Sequence, residues 1–203
     1  MTLFPHDDTR APVPRPPQPR SARGQELRAI LFDRDGTLIV DVPYNGDPGR
    51  VRPMPTAAAA VEAARERGLA VGIISNQSGI SRGYVSAEMV RRVNVAVEAA
   101  LGPFDVWRVC PHAPEDGCAC RKPQPGMVLS AAAMLGLRPA QVAMIGDIGA
   151  DIEAGRAAGA RTVLVPTADT RAEEITGAPL VAATLREAVE LLFREGAPRE
   201  DSQ

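Results

Sequence analysis

The amino-acid sequence predicts an α/β domain in which helices cover both faces of a doubly wound parallel sheet. Two observations support this prediction. Short apolar segments alternate with longer segments of helical composition along most of the chain, and such alternation is typical of parallel sheets with right-handed crossovers. Polar residues also follow several apolar segments directly, and open α/β sheets bind ligands at the C-terminal ends of their strands.

Five strands are predicted, each from a short and mostly apolar run such as AILF or LAVGIIS. Runs of this kind are typical of strands that are buried inside a sheet. The predicted strand ranges are 28–33, 69–75, 104–109, 141–145 and 161–165.

Five helices are predicted between and after these strands. The first is rich in alanine and ends at Gly68, and the second begins with Ser86 as its N-cap. The third opens at Pro125 and ends at Gly136, and the fourth ends at Gly159. The predicted helix ranges are 56–67, 86–101, 125–135, 151–158 and 185–194.

Composition divides the 203 residues into one domain and two end segments. Residues 1–25 are rich in proline and arginine, which predicts a disordered arm, or alternatively a docking segment for a proline-recognising or acidic partner. Residues 26–195 form the predicted domain, and residues 196–203 a flexible tail.

Composition and charge also limit the classes of function. Hydrophobic residues make up 45% of the chain and aromatic residues only 3%, so alanine, valine, leucine and isoleucine must fill the core. The net charge of −2 predicts no nucleic-acid partner. No apolar run approaches the roughly 20 residues that span a bilayer, and no apolar leader segment is present, so we expect a cytoplasmic protein without membrane contact. Without an obvious apolar patch, a monomer is expected.

Two aspartates lie at the C-terminal end of the first predicted strand, within the sequence DRDGTL, namely Asp33 as its last residue and Asp35 just beyond it. Two carboxylates at the end of a strand are costly to desolvate unless a cation or a charged ligand joins them. They therefore indicate a metal-assisted active site. The alternative is a helix N-cap followed by a surface acid in a turn.

Three further polar segments begin at or after the ends of later strands, namely SNQSG at 75–79, RKP at 121–123 and GDIGAD at 146–151. Taken singly, they are also typical of an ordinary turn, a solvated basic turn and a capped helix. Together they would bring carboxylates, a lysine and a hydroxyl to one sheet edge, a set suited to Mg²⁺ and phosphate. The residues gathered there would be Asp33, Asp35, Ser75, Lys122, Asp147 and Asp151.

A second metal site is predicted between the third strand and the third helix. Cys110, His112, Cys118 and Cys120 lie within eleven residues and match a closed Cys₃His zinc site with a structural role. The alternatives are inert buried cysteines or a disulfide, which would leave one cysteine unpaired. Zinc there would hold in place the loop that delivers Arg121 and Lys122.

These motifs resemble those of the haloacid dehalogenase (HAD) superfamily of phosphohydrolases. The matching segments are DRDGTL, SNQSGISRG, CPH…CxCRKPQPGM and the GDxxxD turn, and they extend over residues 28–166. Within the superfamily, the chain is similar to the subgroup of heptose-bisphosphate phosphatases and histidinol-phosphatase domains. The resemblance implies a Rossmann-like fold and Mg²⁺-dependent hydrolysis of phosphate monoesters.

The resemblance also implies a role for each site residue. Asp33 would be the nucleophile and Asp35 the general acid and base, while Ser75 and Lys122 would bind the phosphoryl oxygens. Mg²⁺ would be held by Asp33, Asp147 and the backbone carbonyl of Asp35. The residues implied to contact the rest of the substrate are Asp41, Tyr44, Asn45, Asn76, Gln77, Ser78 and Arg121.

Spacing predicts a site without a cap domain. Asp33 and Ser75 are 42 positions apart, and Ser75 and Lys122 are 47 apart, which leaves room for little more than a crossover helix in each gap. The open site would be walled by the loops at 39–53 and 110–121.

The predicted substrate is a small phosphorylated sugar, in particular a heptose 1,7-bisphosphate hydrolysed at its 7-phosphate. The segment PQPGM at 123–127 resembles the heptose group, whereas the five residues between His112 and Cys118 resemble histidinol phosphatases. Histidinol phosphate is therefore the alternative substrate. A non-catalytic zinc-bearing binding module is the alternative of another class.

Overall fold

Five parallel strands form one sheet in the order β3-β2-β1-β4-β5. The computed structural model describes residues 26–194, so the predicted arm at 1–25 and tail at 196–203 lie outside the described residues. The strands are β1 Ala29–Phe32, β2 Ala70–Asn76, β3 Val106–Cys110, β4 Val142–Gly146 and β5 Arg161–Leu164. The helices are α1 Ala57–Glu66, α2 Ala87–Leu101, α3 Gly126–Met134, α4 Gly149–Ala158, α5 Ala172–Gly177 and α6 Leu185–Arg194.

Strand β1 lies at the centre of the sheet and sets its topology. It pairs with β2 on one side, where Ala29 is opposite Ala70, and with β4 on the other, where Ala29 is opposite Val142. The chain builds β2 and β3 first and then crosses back past β1 to build β4 and β5. The direction of winding therefore reverses between β1 and β4, which is where doubly wound sheets bind their ligands.

Helices cover both faces of the sheet, as predicted. Helices α1, α2 and α6 pack on one face around Ile30, Phe32 and Ile73. Helices α3 and α4 pack on the other face around Leu31 and Ile74. Neighbouring residues of β1 thus enter different cores, because successive side chains of a strand point to opposite faces. Small aliphatic side chains fill most of both cores, which agrees with the low aromatic content.

The predicted elements are all present, with ends shifted by one or two residues. Strand β3 begins at Val106 and not at residue 104, because the backbone N–H of Phe104 bonds to the Glu98 carboxylate and not to a neighbouring strand. Ser86 is the N-cap of α2, and its Oγ accepts a hydrogen bond from the N–H of Met89 at 3.1 Å. Helix α5 was not predicted, because six residues are too few to show a helical period.

No cap domain interrupts the fold within residues 26–194. Between β1 and β2 lie only a short 3₁₀ turn at Pro48–Arg50 and α1, and between β2 and β3 lies α2. The capless architecture predicted from spacing is therefore confirmed. None of the helices in the described part of the chain is long and apolar enough to cross a membrane.

Candidate active site

A buried lysine and two buried carboxylates form the centre of the candidate site. Asp33 directly follows β1, and Lys122 Nζ lies 2.5 Å from its Oδ1. The same ammonium donates to Asp151 Oδ1 at 2.6 Å and to the Ile74 carbonyl at 3.3 Å. The side chains of Lys122, Asp33 and Asp151 are exposed by no more than 10%. All three protons of the ammonium thus have acceptors, as burial of such a group requires.

Charge at this centre is unbalanced toward the negative. Asp147, at the end of β4, is a third buried carboxylate beside a single lysine. Burial and the nearby Asp151 raise the pKa of Asp147 to about 6. Burial also raises the pKa of Asp33, against the opposing charge of Lys122. Burial alone would lower the pKa of Lys122, but Asp151 and Asp33 outweigh it and raise that pKa above its ordinary value. Lys122 therefore remains positively charged. The excess negative charge of the three carboxylates favours binding of a further cation.

The donor set fits a magnesium ion. Asp33, Asp147 and Asp151 each offer a carboxylate oxygen, and these oxygens lie within 4.8 Å of one another. A hard divalent cation prefers oxygen ligands and is commonly held by one or two carboxylates, with water and substrate phosphate completing its coordination. The Asp35 side chain points elsewhere, toward Gln77 and Arg34, which is compatible with the predicted use of its backbone carbonyl only.

Two threonines hold Asp147 in place, and neither was singled out from the sequence. Thr37 Oγ1 donates to Asp147 Oδ1 at 2.8 Å, and Thr170 Oγ1 donates to the Asp147 carbonyl at 2.6 Å. Gly36 has a left-handed φ of 78°, and a Cβ there would collide with the Asp147 carboxylate. The Gly-Thr turn after Asp35 therefore leaves space for Asp147 and orients it.

The Asp35 carboxylate receives several donors, most of them at Oδ2. Gln77 Nε2 donates to this oxygen at 2.7 Å, and Ser75 Oγ lies 3.4 Å from it. Arg34 Nε and Nη2 lie 3.1 and 3.0 Å from it. Gln77 also donates to Ser75 Oγ at 2.8 Å. Ser75 and Gln77, predicted at the end of β2, are thus brought to Asp35 at the end of β1, as expected for neighbouring parallel strands.

The side-chain amide of Asn76 holds the backbone of Lys122. Asn76 Nδ2 donates to the Lys122 carbonyl at 3.1 Å, and the Lys122 N–H donates to Asn76 Oδ1 at 3.1 Å. Ser78, two residues further along, is half-buried, and its backbone carbonyl accepts hydrogen bonds from Ser81 Oγ and the Arg82 N–H. Asn76 thus places Lys122 opposite Asp33, a role that no local sequence signal indicates.

An exposed rim is formed by the loop after Asp35 and the loop after β2. Tyr44, exposed by 44%, packs against Tyr84 with ring centroids 4.6 Å apart. Its hydroxyl accepts from Arg82 Nη1 at 3.0 Å. Partial burial and the nearby carboxylates of Asp35 and Asp169 raise the pKa of Asp41.

One predicted rim residue is turned inward. Asn45 is only 4% exposed, and its Oδ1 accepts from the N–H of Asp47 at 2.9 Å. The side-chain amide oxygen of Asn45 therefore closes a turn within the loop at 39–53.

The four predicted zinc ligands converge after β3. Cys110, Cys118 and Cys120 have Sγ atoms 3.2–3.6 Å apart, and His112 Nδ1 lies 3.2 Å from Cys120 Sγ. Burial raises the pKa of the Cys110 thiol. Burial of Cys118 acts in the same direction, but hydrogen bonds from Cys120 and the Arg121 N–H outweigh it and lower the pKa of Cys118 to about 7. One imidazole and three sulfurs at this spacing fit a closed tetrahedral zinc site.

The loop from Cys110 to Lys122, here called the zinc loop, is packed against the start of α3. The Gly126 N–H donates to the Ala119 carbonyl at 3.1 Å, and a Cβ on Gly126 would collide with that carbonyl. Arg121 is half-buried, and its Nη1 donates to the His112 carbonyl at 3.2 Å. Arg121 and Lys122 also line an open cleft of about 420 Å³, formed by the zinc loop and the two residues that follow it, Pro123 and Gln124.

Comparison with known proteins agrees with this geometry. A family model described as HAD-hydrolase-like matches residues 119–188. The D-glycero-β-D-manno-heptose-1,7-bisphosphate 7-phosphatase of Pseudomonas aeruginosa is 34% identical over 161 residues, which cover 77% of this chain and 89% of that protein.

Two solved structures show the same fold. The D,D-heptose 1,7-bisphosphate phosphatase of B. bronchiseptica, crystallised with magnesium and phosphate, superposes with a TM-score of 0.75 at 31% identity, covering 83% of this chain and 99% of that one. The corresponding enzyme of Burkholderia thailandensis has a TM-score of 0.61 at 22% identity, covering 82% and 98%. At that identity it supports the fold alone.

Proposed function

The chain belongs to the HAD-like family of heptose-1,7-bisphosphate 7-phosphatases, which confirms the resemblance seen in its motifs, and we propose that it hydrolyses the 7-phosphate of D-glycero-D-manno-heptose 1,7-bisphosphate with the help of Mg²⁺. The observation that carries this proposal is the contact of Lys122 with Asp33 beside the buried carboxylates of Asp147 and Asp151. This arrangement supplies a nucleophile, a cation for a phosphoryl group and ligands for a metal ion.

Each reacting residue has a distinct task. Asp33 attacks the phosphorus as the ester bond breaks, and Asp35 gives its proton to the departing alcohol. Water then hydrolyses the aspartyl phosphate, with Asp35 accepting a proton from it. Lys122 and Ser75 bind the phosphoryl oxygens throughout. Asp33, Asp147 and the Asp35 carbonyl would hold Mg²⁺, which would supply positive charge to offset repulsion between the nucleophile and the phosphate.

The open rim supports a polar and extended substrate. Arg82 and Arg121 lie in the two loops that flank the entrance, and either guanidinium can pair with a second phosphate in bidentate fashion. Arg82 lies in the SNQSGISRG motif but was not predicted to contact substrate. Tyr44 and Asp41 offer an aromatic surface and a hydrogen-bond acceptor for the sugar.

One observation favours histidinol phosphate as a second candidate substrate. Asp41 and Asp169 add negative charge close to Asp35, and a cationic amine would be attracted to these carboxylates. We also propose a cytoplasmic location, which the sequence predicts, because a reducing compartment keeps the cysteines available for zinc.

Phosphate release from the two compounds tests the proposal. We expect a higher kcat/KM for the heptose bisphosphate than for histidinol phosphate. Arg121→Ala and Arg82→Ala should each be compared with Arg91→Ala, a control on the exposed side of α2 that pairs only with Glu88 among the contacts described. A better kcat/KM for histidinol phosphate, or a bisphosphate preference that neither rim variant changes, would contradict the substrate assignment.

A further inference from the structure

Arg34 lies between the two catalytic aspartates in sequence, and its side chain is almost entirely buried. Only 1% of this residue is exposed. A buried guanidinium is costly to desolvate unless its donors are paired with acceptors held in place. The position of Arg34 in the DRDGTL segment therefore requires an explanation beyond a charged residue in a turn.

The guanidinium of Arg34 forms a bridge between Asp35 and helix α2. Its Nε lies 3.2 Å from Asp35 Oδ1 and 3.1 Å from Oδ2, and its Nη2 lies 3.0 Å from Oδ2. On the other side, Nη1 donates to Asn94 Oδ1 at 2.6 Å. Asn94 is half-buried on α2, a helix fixed to the sheet through Val93 and Val97. The bridge thus ties the Asp35 carboxyl to a rigid element.

The donors around Asp35 are distributed unequally between its two oxygens. Oδ2 accepts from Gln77 and Arg34 and lies within reach of Ser75. Within residues 26–194, the contact described for Oδ1 is the 3.2 Å approach of Arg34 Nε. An oxygen crowded by donors cannot also carry a proton for transfer. Oδ1 is therefore the oxygen that remains available to exchange a proton with the substrate.

We propose that Arg34, held by Asn94, is a positioning residue that orients the Asp35 carboxyl so that Oδ1 faces the leaving group. This proposal rests on the proposed function, since it concerns the acid of that reaction. In the step concerned, an Asp33 oxygen forms its bond to phosphorus and the bond from phosphorus to the alcohol oxygen breaks. The proton on Asp35 Oδ1 passes to that alcohol oxygen, which leaves Asp35 as a carboxylate.

Arginine is required at this position because its donors form a planar fork. Two of its nitrogens reach Asp35 while a third reaches Asn94, and a lysine ammonium on a flexible stem cannot maintain that geometry. Loss of the fork should leave the Asp35 carboxyl free to rotate. Phosphoryl transfer to Asp33 would still occur, but protonation of the leaving group would become inefficient.

The test compares two substrates that differ in their need for an acid. Benzyl phosphate releases a poor leaving group, whereas 4-nitrophenyl phosphate releases a good one that departs without protonation. The measured quantity is the ratio of kcat/KM for 4-nitrophenyl phosphate to that for benzyl phosphate, with Mg²⁺ present. The kcat/KM value reports the first displacement, so the later hydrolysis of the aspartyl phosphate does not affect it.

Asp35→Asn should raise this ratio by about 100-fold, since a general acid contributes on that order. Arg34→Lys should raise it by about tenfold and Asn94→Ala by about threefold, because each loosens the acid without removing it. In the Asp35→Asn background, Arg34→Lys should change the ratio by less than about twofold, since the two residues act through one carboxyl.

Arg65→Lys is the matched control for a partly buried arginine far from the site. Arg65 donates to the carbonyls of Leu101 and Pro103, so its replacement should lower stability and leave the ratio unchanged. A purely structural role for Arg34 predicts the same behaviour, with both substrates slowed equally.

The outcomes separate this proposal from the proposed function. A ratio that responds to Asp35→Asn but not to Arg34→Lys overturns the role of Arg34 alone. A ratio that does not respond to Asp35→Asn overturns the acid role of Asp35 and this proposal with it. If Arg34→Lys does not fold, as thermal denaturation would reveal, the Asn94→Ala ratio decides, and an unchanged value overturns the proposal.

Discussion

The carboxylate cluster and the cysteine cluster are each suited to a metal ion, yet they are assembled in opposite ways. Asp33 and Asp147 come from opposite halves of the chain and meet because β1 and β4 are neighbours in the sheet. The four cysteine and histidine ligands all come from one loop of eleven residues. The first cluster exists only when the whole sheet has formed, whereas the second depends on local folding and on an ion.

The two clusters also differ in which groups contact their ligand atoms when no metal is bound. Lys122 lies inside the carboxylate cluster and pairs with Asp33 and Asp151. The described contacts of the sulfur atoms are with one another, with His112 and with backbone N–H groups. We therefore expect removal of Mg²⁺ to abolish chemistry and preserve the fold, and removal of zinc to weaken the fold and affect chemistry indirectly.

The largest effect should come from Asp33→Asn, which removes the nucleophile and leaves an isosteric amide. We expect kcat to fall by at least about 1,000-fold, because covalent catalysis no longer operates. Thermal denaturation should show a folded protein. The matched control is Asp105→Asn, at the far edge of the sheet, where the carboxylate accepts from the Val71 N–H and an amide oxygen can replace it. Activity of Asp33→Asn within about tenfold of wild type would exclude the covalent mechanism.

Removal of Mg²⁺ should have the next largest effect. Brief chelation should reduce turnover by at least about 100-fold, and added Mg²⁺ alone should restore it while zinc remains bound. Asp147→Ala should lose activity in the same way and should not be rescued by ordinary Mg²⁺ concentrations. Metal analysis before and after chelation checks which ion has left. Full turnover by protein shown to lack Mg²⁺ would be incompatible with the assignment.

Cys118→Ser should mainly affect stability. Loss of one thiolate should release about one zinc per chain and lower the free energy of unfolding by about 2–5 kcal/mol, a cost on the scale of losing a structural crosslink or metal. KM should rise more than kcat falls, because Arg121 and Lys122 belong to the loop that loses its zinc. Glu115→Gln, an exposed change in that loop, is the control and should retain zinc. Protein purified without chelator that contains no zinc would remove this prediction.

The smallest effect should be a pH dependence caused by Asp147. Its raised pKa means that the folded protein without Mg²⁺ binds more protons than the unfolded chain between about pH 4 and pH 6. The free energy of unfolding should therefore fall as pH rises through this window, by at most about 3 kcal/mol. Urea denaturation of wild type and Asp147→Asn at pH 4.5 and 7 isolates this difference. If the free energy of unfolding changes equally between the two pH values in both proteins, Asp147 does not titrate in this window.

The sequence predicts the parts of the site that depend on local order. Asp33, Ser75 and Asp147 each follow an apolar run, and parallel strands bring such ends together. The zinc ligands are predictable because the three cysteines and the histidine lie within eleven residues, in a pattern that matches a Cys₃His zinc site. Four short motifs also predicted the HAD superfamily and, within it, the subgroup of heptose-bisphosphate and histidinol phosphatases, whereas they left histidinol phosphate as an alternative substrate.

Other contacts depend on distances that no local pattern reveals. In the sequence, Asn76 is typical of a turn residue. Only the folded sheet places its amide beside the Lys122 backbone. Thr170 lies in a loop after β5 that has no periodicity, and it reaches Asp147 only through the fold. Arg34 was visible between two aspartates, but its burial against Asn94 requires the position of α2.

The paired hydrogen bonds of Asn76 have a consequence for how this fold can diversify. The zinc loop leaves the sheet at Cys110, which is opposite Asn76 in the β2–β3 register, and it ends at Lys122, which the Asn76 amide holds. Both ends of the loop are thus anchored at one residue. Insertions, deletions or exchange of the intervening segment can reshape the entrance while the lysine stays opposite its aspartate, so substrate range and catalytic chemistry can be inherited separately.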